Sequence, residues 1–270
     1  MRLRSVLTSL GLVFAVATTS VQAADLVGLI TKVRIPYFNA MERGAQAAAD
    51  KLGLELQIYS GKSHEDYEGQ IAAIESLIAA GAKGFAIAPG SSTAIVPALQ
   101  KARDAGLLVI VLDTPTDPIS AADATYVTDN FEAGKLDGQW AKAHMGDKWA
   151  TAKFALLDAF VVPNTTETLR DQGFMQGYGF DIKDPNIMGD EAADPRICGH
   201  FVTDANDEGG RTAMEQALQK CPDLELVYTV NEPAFDGAYQ ALKAAGKDDG
   251  SIVLVSIDGG CDAMKNMTDG

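Results

Sequence analysis

From Asp25 onward, short continuous apolar runs alternate with longer stretches whose apolar residues recur every three to four positions. The runs Leu26–Thr31, Leu54–Tyr59, Gly84–Ala88, Leu107–Leu112 and Thr125–Val127 predict strands, as do Lys153–Leu157, Ile197–Val202, Leu226–Val230 and Ile252–Ser256. Helical periodicity predicts helices over Tyr37–Leu52, Glu65–Ala80, Thr93–Ala105, Phe131–Met145, Glu167–Gly179, Glu208–Lys220 and Ala234–Ala245, with Asp262–Asp269 as a last one. A strand that is apolar at successive positions is buried on both faces, the condition of a parallel sheet covered by helices. Gly53, Gly81, Gly106 and Gly246 follow the last turns of their helices, where a residue without a Cβ leaves the helix left-handed most easily. The expected fold class is α/β, doubly wound.

The stretch Asp113–Ala124 carries Pro115 and Pro118 and has no periodicity, so it reads as a connection at the edge of a lobe. Strand–helix units lie on both sides of it. They predict two similar parallel-sheet lobes, residues 24–127 and 128–270, meeting near residues 125–130. The second lobe lacks a last return strand, so the C-terminus is expected to be truncated.

Residues 1–23 read as a secretory signal peptide. Arg2 and Arg4 precede an apolar stretch from Val6 to Ala17, and Val21-Gln22-Ala23 forms a cleavage site. That stretch is shorter than the ~20 apolar residues a membrane span needs. Cleavage after Ala23 and release into the periplasm are the expectation. Export would place Cys198, Cys221 and Cys261 in an oxidising compartment, and they show neither a CxxC pair nor metal-ligand spacing. Cys198 opens a strand and Cys221 closes the next helix. A disulfide between them and three buried thiols are both open readings.

Composition narrows the partners. With 47% hydrophobic residues the chain is an ordinary globular one. Its 22 Lys and Arg against 37 Asp and Glu give a net charge of -15, which repels nucleic acid and anionic membranes. Enzyme motifs fail. Gly61-Lys62-Ser63 lacks the upstream glycine of a phosphate loop, since position 56 is Leu. No GxGxxG follows the first strand, and Gly90-Ser91-Ser92 is not a nucleophile elbow. His64, His144 and His200 have no partners at ligand spacing and read as surface or internally satisfied residues. No cofactor and no metal are expected.

Ligands of open α/β sheets bind beyond the carboxyl ends of the strands. The residues there are Ile35-Pro36-Tyr37-Phe38, Asp113-Thr114, Asp158 with Arg170 in the helix beyond, Asp204 and Asn206, Asn231-Glu232, and Asp258-Gly259-Gly260. Aromatic planes suit the apolar face of a sugar ring, and carboxylates, amides and a guanidinium suit its hydroxyls. Structural roles compete with binding: Tyr37 and Phe38 as helix packing, Asp204 and Asn231 as caps, Arg170 as a surface ion pair.

Pro36-Tyr37-Phe38, Gly44-Ala45, Leu112-Asp113-Thr114-Pro115, Thr128-Asp129-Asn130, Arg170-Asp171-Gln172-Gly173-Phe174, Asn231-Glu232-Pro233 and Ser256-Ile257-Asp258-Gly259 occur in that order. Together they resemble the periplasmic sugar-binding proteins of ABC importers, and within them the ribose/fructose-type branch. The resemblance covers essentially the whole chain after residue 23. It implies two hinged lobes closing on a monosaccharide or polyol, no enzymatic activity, a monomer, and delivery to a membrane permease and its ATPase. It implies ligand contacts for Tyr37, Phe38, Asp113, Arg170, Asn231 and Asp258. Two positions depart from the family: Ile35 stands where Asn is frequent, and Thr114 where the ribose type has Arg. The family's last crossover, with its Gln, would lie beyond Gly270.

Other readings make distinct demands. A repressor of this fold needs an N-terminal helix-turn-helix. A glycosidase needs two carboxylates placed for acid–base work. The sensory domain of a sugar receptor or chemotaxis system would share the cleft and differ in its attachment.

Overall fold

The computed structural model describes residues 23–190 and 193–269; the predicted signal peptide lies outside them except for Ala23. Five strands form the first sheet: β1 (Leu26–Thr31), β2 (Glu55–Ser60), β3 (Gly84–Ile87), β4 (Leu108–Leu112) and β5 (Ala124–Tyr126), in the order β2-β1-β3-β4-β5. The second sheet contains β6 (Lys153–Asp158), β7 (Ile197–Val202), β8 (Leu224–Thr229) and β9 (Val253–Ser256), in the order β7-β6-β8-β9. Every pairing is parallel. In each sheet the order reverses beside a central strand, and such a switch point leaves a crevice at the carboxyl ends.

The helices are α1 (Pro36–Leu52), α2 (Tyr67–Ala79), α3 (Val96–Asp104), α4 (Asn130–Met145), α5 (Thr165–Tyr178), α6 (Asp207–Lys220), α7 (Glu232–Ala244) and α8 (Cys261–Asp269). Their starts explain where sequence and structure differ. The helix expected from Glu65 begins at Tyr67 because Asp66 caps it, accepting from the Gly69 N–H at 3.0 Å. The one expected from Thr93 begins at Val96, where a proline occupies the first turn without a missing hydrogen bond. Asp129, Asn164, Asn206 and Asn231 cap α4, α5, α6 and α7 in the same way.

Each sheet carries its own core. In the first, Ile30, Ile74, Leu77, Ile87, Leu99, Val109 and Val111 are fully buried between sheet and helices, each contributing about 1.5–3 kcal/mol. In the second, one face is aliphatic around Met214 and Val227. The other is aromatic, with Phe174 stacked on Tyr228 at 4.2 Å and on Phe154 at 5.5 Å.

Helices α4 and α5 touch backbone to backbone. A Cβ at Gly134 or Gly138 would fall on the carbonyl oxygens of Arg170 or Phe174, and one at Gly173 or Gly177 on those of Phe131 or Lys135. Glycine at these four sites lets Asn130 and Arg170 start from adjoining helices. Cys198 and Cys221 form a disulfide across β7 and α6 with Cα atoms 5.9 Å apart, while Cys261 is free and exposed. The reading of three buried thiols is thereby corrected: the strand and its following helix return to the same sheet edge.

Candidate functional site: an interlobe cleft

The carboxyl ends of both sheets face one cleft, and the lobes touch there. The Thr165 N–H donates to Ser92 Oγ at 3.2 Å, and Thr166 Oγ1 donates to Thr114 Oγ1 at 3.3 Å and to the Asp113 carbonyl at 3.4 Å. Helix α5 thus meets the ends of β3 and β4 with its first turn.

In the first lobe, Asp113 follows β4 with φ 64. Asp is among the few residues that adopt this left-handed conformation readily, and such outliers gather at functional sites. Lys32, directly after β1, donates to Asp113 Oδ2 at 2.8 Å and to Thr114 Oγ1 at 2.6 Å, while Thr114 donates to Asp113 Oδ2 at 3.1 Å. Burial alone would push the Asp113 carboxyl up, yet the Lys32 ammonium, these hydrogen bonds and the more distant Arg170 hold it below the usual carboxylate range. Tyr37 opens α1 with much of its ring exposed, while Phe38 beside it is buried. Burial and the Asp113 carboxylate, acting as charge and acceptor, push the Tyr37 hydroxyl up to about 12, so it stays a donor.

In the second lobe, Arg170 spends its guanidinium on the protein. Nε donates to Asn130 Oδ1 at 2.9 Å, Nη1 to the Val230 carbonyl at 2.9 Å, and Nη2 to Asp258 Oδ1 at 3.3 Å. Asp258, after β9, is left-handed like Asp113, with φ 83, and its Oδ2 accepts from the Glu232 N–H at 3.4 Å. Glu232 in turn accepts from the Gly260 N–H. Behind this pair, burial pushes Asp137 up to about 6, with Arg170 opposing and Asp258 assisting.

Of the sequence-predicted residues, Tyr37, Asp113, Arg170 and Asp258 share one electrostatic neighbourhood, since Tyr37 feels all three charges. Thr114 joins it through Asp113, and Phe38 supports it from below, its ring 5.0 Å from that of Tyr37. Asn231 and Asn206 are pledged to helix caps. Their side-chain oxygens accept from Ala234 and Gly209, and their Nδ2 groups donate to the carbonyls of Ala205 and Asp204. Asn206 is exposed, and its side chain bonds within its own turn, to Asp204 and Gly209.

Sequence reasoning missed Lys32, His64 and Phe160. Lys32 obeys the same strand-end rule as Asp113, applied one residue after β1, and Phe160 lies two residues past β6. His64 was expected at the surface or internally satisfied. It stands instead between Phe38 and Phe160, with ring centroids 6.4 and 6.3 Å away. Burial and then Lys32 lower its imidazole to about 4, so it is neutral at neutral pH. His200 is internally satisfied, by a carboxylate that no local spacing pairs with it: its Nδ1 meets Asp158 Oδ2 at 2.9 Å, because β7 lies beside β6. Among the described residues, Asp158, Asp171 and His200 bring ligand-type atoms within 4.8 Å of one another, the one such grouping. Asp158 therefore serves this buried cluster rather than the open rim.

The chain resembles known proteins along nearly its whole length. It is 28% identical over 258 residues to the ribose import binding protein of Escherichia coli (strain K12), covering 95% of this chain and 80% of that one. The galactofuranose-binding protein of the same strain is 32% identical over 233 residues, 84% of this chain and 68% of its own. The periplasmic binding protein component of the arabinose ABC transporter from Shewanella sp. ANA-3, bound to L-arabinofuranose, superposes with a TM-score of 0.75 at 27% identity, covering 91% of this chain and 78% of that one. The family model for the periplasmic binding protein domain matches residues 27–270, and with two parallel sheets opening on one polar cleft, this chain belongs to that family.

Proposed function

We propose that this protein is the solute-binding component of an ABC importer, capturing a neutral monosaccharide or polyol between its lobes. The carrying observation is the pair of strand-end carboxylates, Asp113 and Asp258, each already matched to a cation, Lys32 and Arg170. Matched charges offer polarised acceptors for hydroxyls and leave no net charge for an ionic cargo to neutralise. Tyr37, His64 and Phe160 supply planes for the apolar ring face. The sugar-binding relatives support the same class of cargo.

Capture proceeds by closure of the lobes: a sugar that adds contacts to both shifts the open–closed balance by its preference for the closed form. The protein acts in the periplasm as a monomer, passes its cargo to a membrane permease and its ATPase, and carries out no turnover. Among the described residues, no helix is long and apolar enough to cross a membrane.

Calorimetry with D-ribose, L-arabinose, D-galactose, D-allose, D-apiose and D-galacturonate tests this reading. The expected result is tight binding of one or more neutral sugars and no binding of the uronate. Binding of the uronate alone, or of none of the six, would overturn it.

A further inference from the structure

Lys32 is a buried cation with 8% of its side chain exposed, held between two groups at the end of another strand. Burying an ammonium is costly, and an apolar residue at the end of β1 would fill the space without that cost. Two of its three N–H donors go to Asp113 Oδ2 and Thr114 Oγ1, which are themselves hydrogen-bonded, so the three groups form a closed triangle. One corner of the triangle, Thr114 Oγ1, also accepts the hydroxyl of Thr166 from the opposite lobe. The ammonium therefore stands where the cleft's acceptor carboxylate and the lobe–lobe contact meet.

We propose that Lys32 is a positioning residue for capture: it fixes the Asp113 carboxylate as a charged acceptor for a cargo hydroxyl and ties that carboxylate, through Thr114, to the Thr166 contact that joins the lobes. The proposal rests on the monosaccharide reading for its ligand and on the triangle for its geometry. The groups acting on Asp113 come from four elements: Lys32 after β1, the Tyr37 hydroxyl on α1, His64 before α2 and Arg170 on α5. His64 titrates at about 4, and Tyr37 at about 12, so neither changes state between pH 5 and 8. In that window Lys32 is the partner whose loss would let Asp113 take up a proton, because burial then acts on the carboxyl without its main opposing charge.

Carbon-13 titration of the Asp113 carboxyl in the ligand-free protein, assigned with Asp113→Asn, tests the first half. The wild-type carboxyl stays ionised from pH 5 to 8. In Lys32→Met its midpoint rises into that window, and Lys32→Arg restores it. Lys32→Gln, which keeps a donor and loses the charge, shows the same rise and serves if Lys32→Met does not fold. An unchanged midpoint in the neutral variants overturns the proposal whether or not any sugar binds. Calorimetry with L-arabinose and D-galactose, or whichever neutral sugar of the panel binds, tests the second half. Lys32→Met weakens binding about tenfold at pH 8 and further as the pH falls to 5, while Lys32→Arg stays close to wild type with a flat profile. A loss equal at every pH marks a packing defect and overturns the proposal. Absence of binding by the wild-type protein would count against the monosaccharide reading, and the carboxyl titration would then decide the role of Lys32 by itself.

Discussion

The rings of His64 and Phe160 meet between the lobes, one from each, with centroids 6.3 Å apart and planes tilted by 47°. His64 is neutral there, since burial and Lys32 lower it to about 4. The pair is therefore two uncharged rings at the spacing of an aromatic contact, and the proposed sugar capture would set a sugar ring against them. Phe160→Ala should weaken the cargo sugar about tenfold by calorimetry. An unchanged Kd would mean that Phe160 serves its small cluster with Ala159, Ala205 and Val230 alone.

Acidity should stabilise the empty protein around Glu167. Its Oε1 accepts from the Ala159 and Phe160 N–H groups, and burial with the Asp158 charge pushes the carboxyl up to about 8 against those hydrogen bonds. The folded chain then keeps a proton that the unfolded chain has released, so this stabilisation is complete at acid pH and is lost as pH rises toward 8. Asp137, raised to about 6, has the same sign over a lower range. His64 has the opposite sign: its contribution is present above pH 6.5 and is lost as pH falls toward 4. Between pH 6.5 and 8 Glu167 acts without these two, and Tm should fall by a few degrees. A Tm that falls equally in Glu167→Gln would assign the effect elsewhere.

Reduction should cost stability without costing affinity. The disulfide closes a loop of sequence separation 23 at the sheet edge, which in the chain-entropy account stabilises by about 3 kcal/mol. Cys198→Ser should lower Tm by several degrees and leave the sugar Kd unchanged, because Cys198 lies at the start of β7 and Cys221 just after α6, at the end of the sheet opposite the carboxyl strand ends. A changed Kd would show that this edge reports to the site.

Most strands were legible in sequence as apolar runs, which give the α/β class, while the division into two sheets followed from the aperiodic, proline-bearing stretch Asp113–Ala124. Helix starts were less so. Asp66 ends the loop before α2 by capping it, and a cap competes with helical membership in a way periodicity does not register. The site divided along the same line. Asp113 and Asp258 stood out as carboxylates directly after apolar strands. Lys32 did not, since a lysine after a strand looks like an ordinary solvated end until Asp113 is placed against it. His64 and Phe160 come together from different lobes, a long-range meeting that no local spacing encodes.

Gly138→Ala should be among the most damaging small substitutions in the protein. Its methyl group would fall on the Phe174 carbonyl, backbone that cannot step aside without parting α4 from α5. Overpacking of this kind costs about 1–3 kcal/mol, and Tm should drop by more than about 5 °C. Gly44→Ala, on α1 with open space around it, is the control and should leave Tm within about a degree. Equal, small effects at both positions would mean that the helices part without cost.

The glycine seam also shapes what a saturation-mutagenesis map of this protein would look like. Gly134, Gly138, Gly173 and Gly177 would rank with Arg170 among the least replaceable positions, because each is packed against a backbone carbonyl of the facing helix. Tyr37, with much of its ring open to solvent, would tolerate many residues for abundance and few for uptake. Selecting the same library once for folded protein and once for growth on the cargo sugar would separate the two kinds of intolerance, and the difference map would trace the cleft.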